Sequence, residues 1–412
     1  MLSRRSLIIQ APAAAVAGSF AARAFAADKT ITVGINLPLT GADAHDAELI
    51  KDGALMALDD AKAKELAGGY KLEIMVLDDG TATAGQYDPA QAATNARKMV
   101  ADSSVVAAIG PQMSGSGKAM SPILSQGDLA IITPSSTNPD ITDPKFAGQY
   151  RPGGKAIYFR TVTTDAFQGP NMANYYAENL KVKSVYVLDD SGAYGVGIAN
   201  TFQAQAEKRG IKVLGRDQLN PKEADYTTVL TKIKSLNPDA LYYGGVGQAG
   251  VKLVKQAYDI LPKTMIKGGG DGMNSAEILK GAGFPACEGW YCTIAGPNTL
   301  EDPAAKPWIE SFAKKYGQQP ENYSITAYDA ALVVLDAIDR VAKSGKEVTR
   351  SAVRDAIQAA NVKTLQGQVS FDENGDIKSR VVSVFQIVHD PKSPDDDMVH
   401  QYKYIGVAPQ GT

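Results

Sequence analysis

Residues 105–117 read Val105-Val106-Ala107-Ala108-Ile109-Gly110-Pro111-Gln112-Met113-Ser114-Gly115-Ser116-Gly117, and they join three kinds of segment. An apolar run of strand length comes first, a Gly/Pro break second, and the Gly/Ser opening of a helix over 116–126 third. The order recurs just downstream, where Ala130-Ile131-Ile132 runs into Thr133-Pro134-Ser135-Ser136-Thr137. Upstream, strands are expected at 30–36 and 72–77, with helices at 49–65 and 89–101, Pro89 suiting the first turn of the latter. Strand–helix alternation of this kind builds a parallel, doubly wound sheet. After residue 180 the pattern restarts, with strands at 185–188, 212–219, 240–243 and 265–268. Helices at 197–209, 226–236 and 249–261 separate them. The chain therefore reads as two successive α/β lobes.

The last third begins no third lobe. It offers helices at 308–316, 324–344 and 351–360, a short strand at 369–371, the turn Glu373-Asn374-Gly375-Asp376 and a strand at 381–388. These pieces fit two doubly wound parallel-sheet lobes if the chain crosses between them three times, near residues 159–162, 293–297 and 366–371. The expected first lobe is residues 28–160 plus 294–367, and the second is 161–293 plus 368–412. Three parallel crossovers restrict the lobes to opening and closing about one axis.

The chain has 412 residues, too many for one ordinary core. A formal net charge of −3 gives no footprint for nucleic acid or an anionic membrane. With three histidines and two cysteines there is little material for a metal centre, and none is expected. His389 and His400 flank the acidic run Asp395-Asp396-Asp397, which reads as a solvated loop. Cys287 and Cys292 fit neither a zinc motif nor a redox C-x-x-C; a disulfide between them would need a bend at Gly289. At the N-terminus, Arg4-Arg5 precedes an Ala-rich apolar run that ends in the small-x-small site Ala24-Phe25-Ala26. Residues 1–27 read as an export signal of twin-arginine type, cleaved near Ala26/Ala27. Gln10, Pro12 and Arg23 interrupt the run, which argues against a membrane span. The mature protein is expected in the periplasm, where ATP and nicotinamide cofactors are not generally supplied, so no cofactor is expected.

In doubly wound sheets, ligands sit outside the carboxyl ends of the strands. That rule selects four loops. The N–H groups and hydroxyls of 110–117 would seat an anion at a helix N-terminus, although a plain turn with a capping serine has the same composition. The hydroxyls of Ser135, Ser136 and Thr137 can bond a carboxylate or an ammonium, or simply form a Ser/Thr turn. Residues 189–197 (DDSGAYGVG) present Tyr194. In Gly268-Gly269-Gly270-Asp271-Gly272, Asp271 is either a fixed negative charge in a backbone-lined site or an Asx turn.

The order of these segments carries a resemblance. Over residues 31–376 the chain resembles the type I periplasmic binding proteins, in particular the leucine/isoleucine/valine-binding family of ABC importers. The matching motifs are Pro38-Leu39-Thr40-Gly41, Gly53-Ala54, Asp78-Asp79, Ile109-Gly110, Ile132-Thr133-Pro134 and Phe159-Arg160-Thr161. Gln168-Gly169-Pro170, Tyr194-Gly195, Tyr242-Tyr243-Gly244-Gly245 and Phe371-Asp372 continue them. The resemblance implies a monomeric, non-enzymatic binding protein that delivers a small ligand to ABC permease subunits in the membrane.

It also implies roles. Ser114 and Thr137 match positions that hold an α-carboxylate, helped by backbone near Met113. The carbonyl of Ser135 matches an ammonium acceptor. Asp271, in place of Glu, matches the acid that completes the ammonium site, and Tyr194 matches a tyrosine that closes over the ligand. Two departures bear on specificity. Val246 stands where an aromatic ring is expected, and His45-Asp46 where an apolar neighbour is expected. If Asp46 faces the cleft it suits a polar or cationic ligand; otherwise it turns to solvent or caps a helix. Relatives of this fold also bind aromatic and aliphatic carboxylates, amides and urea, or act as sensors.

Overall fold

Strands that are apolar along their whole length must be covered on both faces, which is the environment of a parallel sheet between helices. β1 (Thr30–Leu37) and β3 (Val105–Ile109) are such strands, buried at all but one residue. The computed structural model describes residues 30–63 and 66–410; the export signal expected over 1–27 lies outside them. Together with β2 (Lys71–Asp78), β4 (Ile131–Thr133) and β5 (Tyr158–Arg160), these strands form a five-stranded parallel sheet in the order β2-β1-β3-β4-β5.

Helices cover this sheet on both sides. α1 (Ala44–Lys62) buries Ala47, Ile50, Ala54 and Leu58 on one face, the spacing of an amphipathic stripe. α2 (Pro89–Ala101) and α3 (Ser114–Gln126) cover the other with Ala92, Ala96, Met99, Met120 and Leu124.

The second lobe holds β6 (Ser184–Asp189), β7 (Lys212–Gln218), β8 (Ala240–Gly244), β9 (Ile266–Gly269), β10 (Tyr291–Ile294), β11 (Ser383–Ile387) and β12 (Tyr402–Val407). Their order is β12-β11-β10-β9-β8-β6-β7. From β10 to β7 the strands are parallel, whereas β11 and β12 add antiparallel at the other edge, a detail the sequence pattern does not reveal. α4 (Asp165–Glu178) and α5 (Ala193–Lys208) pack on one face. α6 (Thr227–Leu236), α7 (Gly247–Ile260) and α8 (Ala276–Ala282) pack on the other.

The remaining helices, α9 (Lys306–Tyr316), α10 (Asn322–Lys343) and α11 (Arg350–Gln358), follow the second crossing. α10 and α11 return to the first lobe, contributing Ala327, Ala330, Val334 and Val353 to its core. α10 crosses α1 so closely that a Cβ at Gly53 would collide with the Ser324 carbonyl, which accounts for glycine there.

The third crossing lies later than the spacing suggests. The hairpin Asn361–Thr364/Gly367–Ser370 stays with the first lobe, and Val369, Phe371 and Ile377 are buried in its core. Phe371 packs on Phe159 with ring centroids 5.1 Å apart. The chain therefore leaves the first lobe after Ile377 and enters β11 at Ser383, and residues 368–377 belong to the first lobe, not the second. The three crossings run side by side: Thr163 N–H donates to Ala295 O at 2.9 Å, and Ser383 Oγ donates to Gly296 O at 2.8 Å.

Cys287 and Cys292 are separate buried thiols. His389 and His400 pair with different aspartates, Asp395 at 3.1 Å and Asp397 at 2.8 Å. Among the described residues, no helix is long and apolar enough to cross a membrane.

Candidate functional site

The strand ends of both lobes open on one cleft of about 530 Å³, counting the space continuous with solvent. From the first lobe, Gln112, Met113, Ser114 and Ser135 line it. Met113 is the N-cap of α3 and Ser114 its first residue, so the first-turn N–H groups of α3, which lack helical acceptors, lie at this edge. Hydroxyls knit the two loops together. Thr133 Oγ1 donates to Pro111 O at 2.6 Å, and Ser135 Oγ donates to Gln112 O at 3.0 Å. Ser114 Oγ accepts from Asn138 N–H at 3.2 Å and from Ser136 Oγ at 3.3 Å. The result is a rigid seat with helix-dipole attraction for an anion.

From the second lobe, Tyr194 enters in the first turn of α5, Val246 caps α7, and Asp271 follows β9. Asp271 Oδ1 accepts from Tyr194 Oη at 2.6 Å and from Gln168 Nε2 at 2.8 Å. Its Oδ2 accepts from the hydroxyl of Tyr323, which begins α10 on the first-lobe side. Asn138 Nδ2 donates to Ala193 O at 2.7 Å and Asn322 Nδ2 to Asn274 Oδ1 at 3.4 Å, so hydrogen bonds join the lobes across the cleft.

Of the nine residues singled out from sequence, Asp46, Met113, Ser114, Ser135, Tyr194, Val246 and Asp271 line the cleft. Ser136 and Thr137 do not. Ser136 stands behind Ser114, and fully buried Thr137 is tied to the hinge by Asp165 N–H donating to its carbonyl at 2.9 Å. They stand behind the lining residues, and the buried hydroxyl of Thr137 has no hydrogen-bond partner among the described residues.

The structure adds Asp43, Gln112, Gly247, Asn274, Glu277 and Tyr323. Gln112 was within the quoted loop but carried no signal apart from its neighbours. Glu277 lies one turn past the Gly-rich run, where Ser275 caps α8 by accepting from Glu277 N–H at 3.1 Å. A Cβ at Gly247 would collide with the Glu277 carboxylate, so glycine lets the two lie side by side.

The cleft is acidic. Asp43, Asp46, Asp271 and Glu277 all line it, with no Lys, Arg or His among the lining residues. Burial, opposed by a backbone hydrogen bond from Tyr87, pushes the Asp43 carboxyl up to about 6. Burial, then the charges of Asp46 and Asp43, push Glu277 up to about 7. Asp46 is raised by burial and then by Asp43, with Lys280 acting in the opposite direction. At the hinge, Asp165 is raised by burial and then by Asp271; Gln168 Nε2 bridges the two, reaching Asp165 Oδ1 at 3.0 Å. For Asp271 burial raises and the three donors lower, with a net rise.

These shifts set a pH dependence. The unfolded chain releases the Asp43 and Glu277 protons near their ordinary values of 3.8 and 4.5, and the folded protein only near 6 and 7. The contribution of these two groups to stability is therefore full below that interval and is lost as pH rises through it. Holding a carboxyl one pH unit above its ordinary range is worth about 1.4 kcal/mol. The ligand-free protein should lose several °C of melting temperature between pH 5 and 8, and the Asp46→Asn/Glu277→Gln variant should lose less. Equal slopes for the two in a calorimetric pH series would contradict this.

Residues 30–392 match the family model described as periplasmic binding protein. The chain is 32% identical to the leucine-, isoleucine-, valine-, threonine- and alanine-binding protein of Pseudomonas aeruginosa, covering 91% of this chain and 94% of that one. It is also 32% identical to the Leu/Ile/Val-binding protein BraC3 of Rhizobium johnstonii, over 86% of this chain and 91% of the relative. Among solved structures it is similar to the leucine-binding protein LivK of Thermotoga maritima. That match has a TM-score of 0.78 and 26% identity, covering 92% of this chain and 98% of that one.

Proposed function

The chain belongs to the periplasmic binding protein family, and on that premise we propose that its cleft holds an α-amino acid, delivered unchanged to the permease of an ABC importer. The single observation that carries this reading is the division of the cleft. One lobe supplies an anion seat at the α3 N-terminus, around Met113 and Ser114. The other supplies a buried acid, Asp271, with no basic side chain among the lining residues. A zwitterion satisfies both faces at once, and closure then follows from binding because only the closed form offers both. Tyr194 and Tyr323 hold the acid in place from either lobe. The protein acts in the periplasm after loss of residues 1–27, as a monomer, and carries out no reaction.

A thermal-shift screen over the common amino acids, short amides, urea and benzoates tests this. A ligand present at 100 times its Kd adds about 2.7 kcal/mol to stability, so an L-amino acid should raise the melting temperature by several °C. The amino acid should be recovered intact after a day with the protein. A response confined to benzoates, or to urea and amides, would overturn the zwitterion reading.

A further inference from the structure

The amino-acid reading accounts for Asp271 and leaves three carboxyls of the same cleft unused. Asp43, Asp46 and Glu277 line one stretch of the cleft, where Asp46 feels the charge of Asp43 and Glu277 feels the charge of both. Around them, the cation that acts on Asp46 is Lys280, which is half-exposed and already paired with Asp396 at 3.1 Å. Other titratable groups face the cluster: Glu321 feels the charge of Asp46, His45 lies within 4.8 Å of both, and Asp79 feels the charge of Asp43.

A second observation points the same way. Gln112 is only 9% exposed, lines the cleft, and its Oε1 accepts no hydrogen bond. Asp46 Oδ1 is likewise buried without a partner. The amide oxygen can only accept, and so can the carboxylate oxygen when ionised. A buried acceptor left unsatisfied is costly, and a buried carboxylate without a counter-charge more so.

An aliphatic side chain would leave Gln112 Oε1 and Asp46 Oδ1 without a donor. We infer that the ligand is a basic amino acid, whose second cationic nitrogen is received by Asp43, Asp46 and Glu277 and donates to Gln112. The inference rests on the zwitterion reading above and specifies its distal group. Val246 and Met113 supply apolar wall for the methylene stem, which such side chains bury while the charged head finds its partners.

Titration calorimetry with L-arginine, L-lysine, L-citrulline, L-leucine, agmatine and benzoate at pH 8 decides the matter, citrulline being the neutral near-isostere of arginine. Arginine or lysine should bind at least tenfold more tightly than citrulline or leucine. The preference should shrink at least tenfold in Asp46→Asn and in Glu277→Gln. Both variants should melt at or above the parent temperature, because each removes a buried like charge, so a loss of binding will not be a loss of fold. Wild-type affinity for lysine should also fall as pH is lowered from 8 to 5.5 and the carboxyls take up protons. If leucine or citrulline binds as tightly as arginine and lysine, the cationic assignment is overturned and the zwitterion reading stands. If agmatine binds and no α-amino acid does, the zwitterion reading fails while the acidic pocket keeps its role. If benzoate alone binds, both are overturned.

Discussion

Asp271→Ala should weaken binding of the amino acid by roughly 2–5 kcal/mol, a factor of about 30 to several thousand. The carboxylate sits among three donors, the hydroxyls of Tyr194 and Tyr323 and the Gln168 amide. All three are neutral, so they favour the charged form without cancelling it, and a neighbouring carboxyl, Asp165, adds a like charge. Among the described residues, no cation acts on Asp271. Removing it strands the ligand ammonium and leaves Gln168 with one acceptor fewer. Asp271→Asn should cost a comparable amount, since an amide nitrogen among these donors repels them. Calorimetry on both variants, with melting temperature as a check on folding, gives the answer. Unchanged affinity in Asp271→Asn would remove Asp271 from the ammonium site.

Much of this site was legible because it lies where strand ends meet helix starts. The run 105–117 announced its own strand, break and helix, and the resulting N-terminus of α3 is the anion seat. Asp271 was legible because glycines on both sides leave an acid little structural work. Local pattern was silent where long-range packing decides. Residues 368–377 carry too little periodicity to show which core they join, and only the burial of Phe371 against Phe159 settles it. Thr137 looked like its neighbours in a hydroxyl-rich loop, yet its side chain is fully buried while its carbonyl takes a backbone bond from Asp165. Whether Asp46 faced the cleft depended on the start of α1, which the apolar stripe places too late because its first turn is polar: the helix begins at Ala44. Tyr323 was out of reach altogether, arriving from a helix that follows the second crossing.

Arg160 should prove the most expensive side chain to remove for stability, and its loss should also reach the ligand. It is wholly buried, and its Nε donates to Asp376 Oδ1 at 2.7 Å. Nη1 reaches Ser136 O at 2.6 Å, and Nη2 reaches Asn138 O at 2.8 Å and Thr142 Oγ1 at 3.0 Å. One guanidinium thus fastens the loop behind the anion seat to the turn that precedes the third crossing. Arg160→Met keeps much of the volume but leaves Asp376 without its cation and two carbonyls without donors. Breaking a buried pair in this way costs about 3–5 kcal/mol, which a urea melt should show as a lower midpoint with little change in slope. The ligand feels the change through Ser136 and Asn138, which hold the Ser114 hydroxyl. Once those carbonyls are free to move, the seat loses its fixed geometry, and dissociation should speed up more than association slows. Asp376→Asn provides the control. It removes the partly exposed acid while Arg160 keeps its carbonyl acceptors, so its cost should be clearly smaller. If Arg160→Met were no more destabilising than Asp376→Asn, the carbonyl bonds would be idle, and the loop would owe its shape to its own hydroxyls.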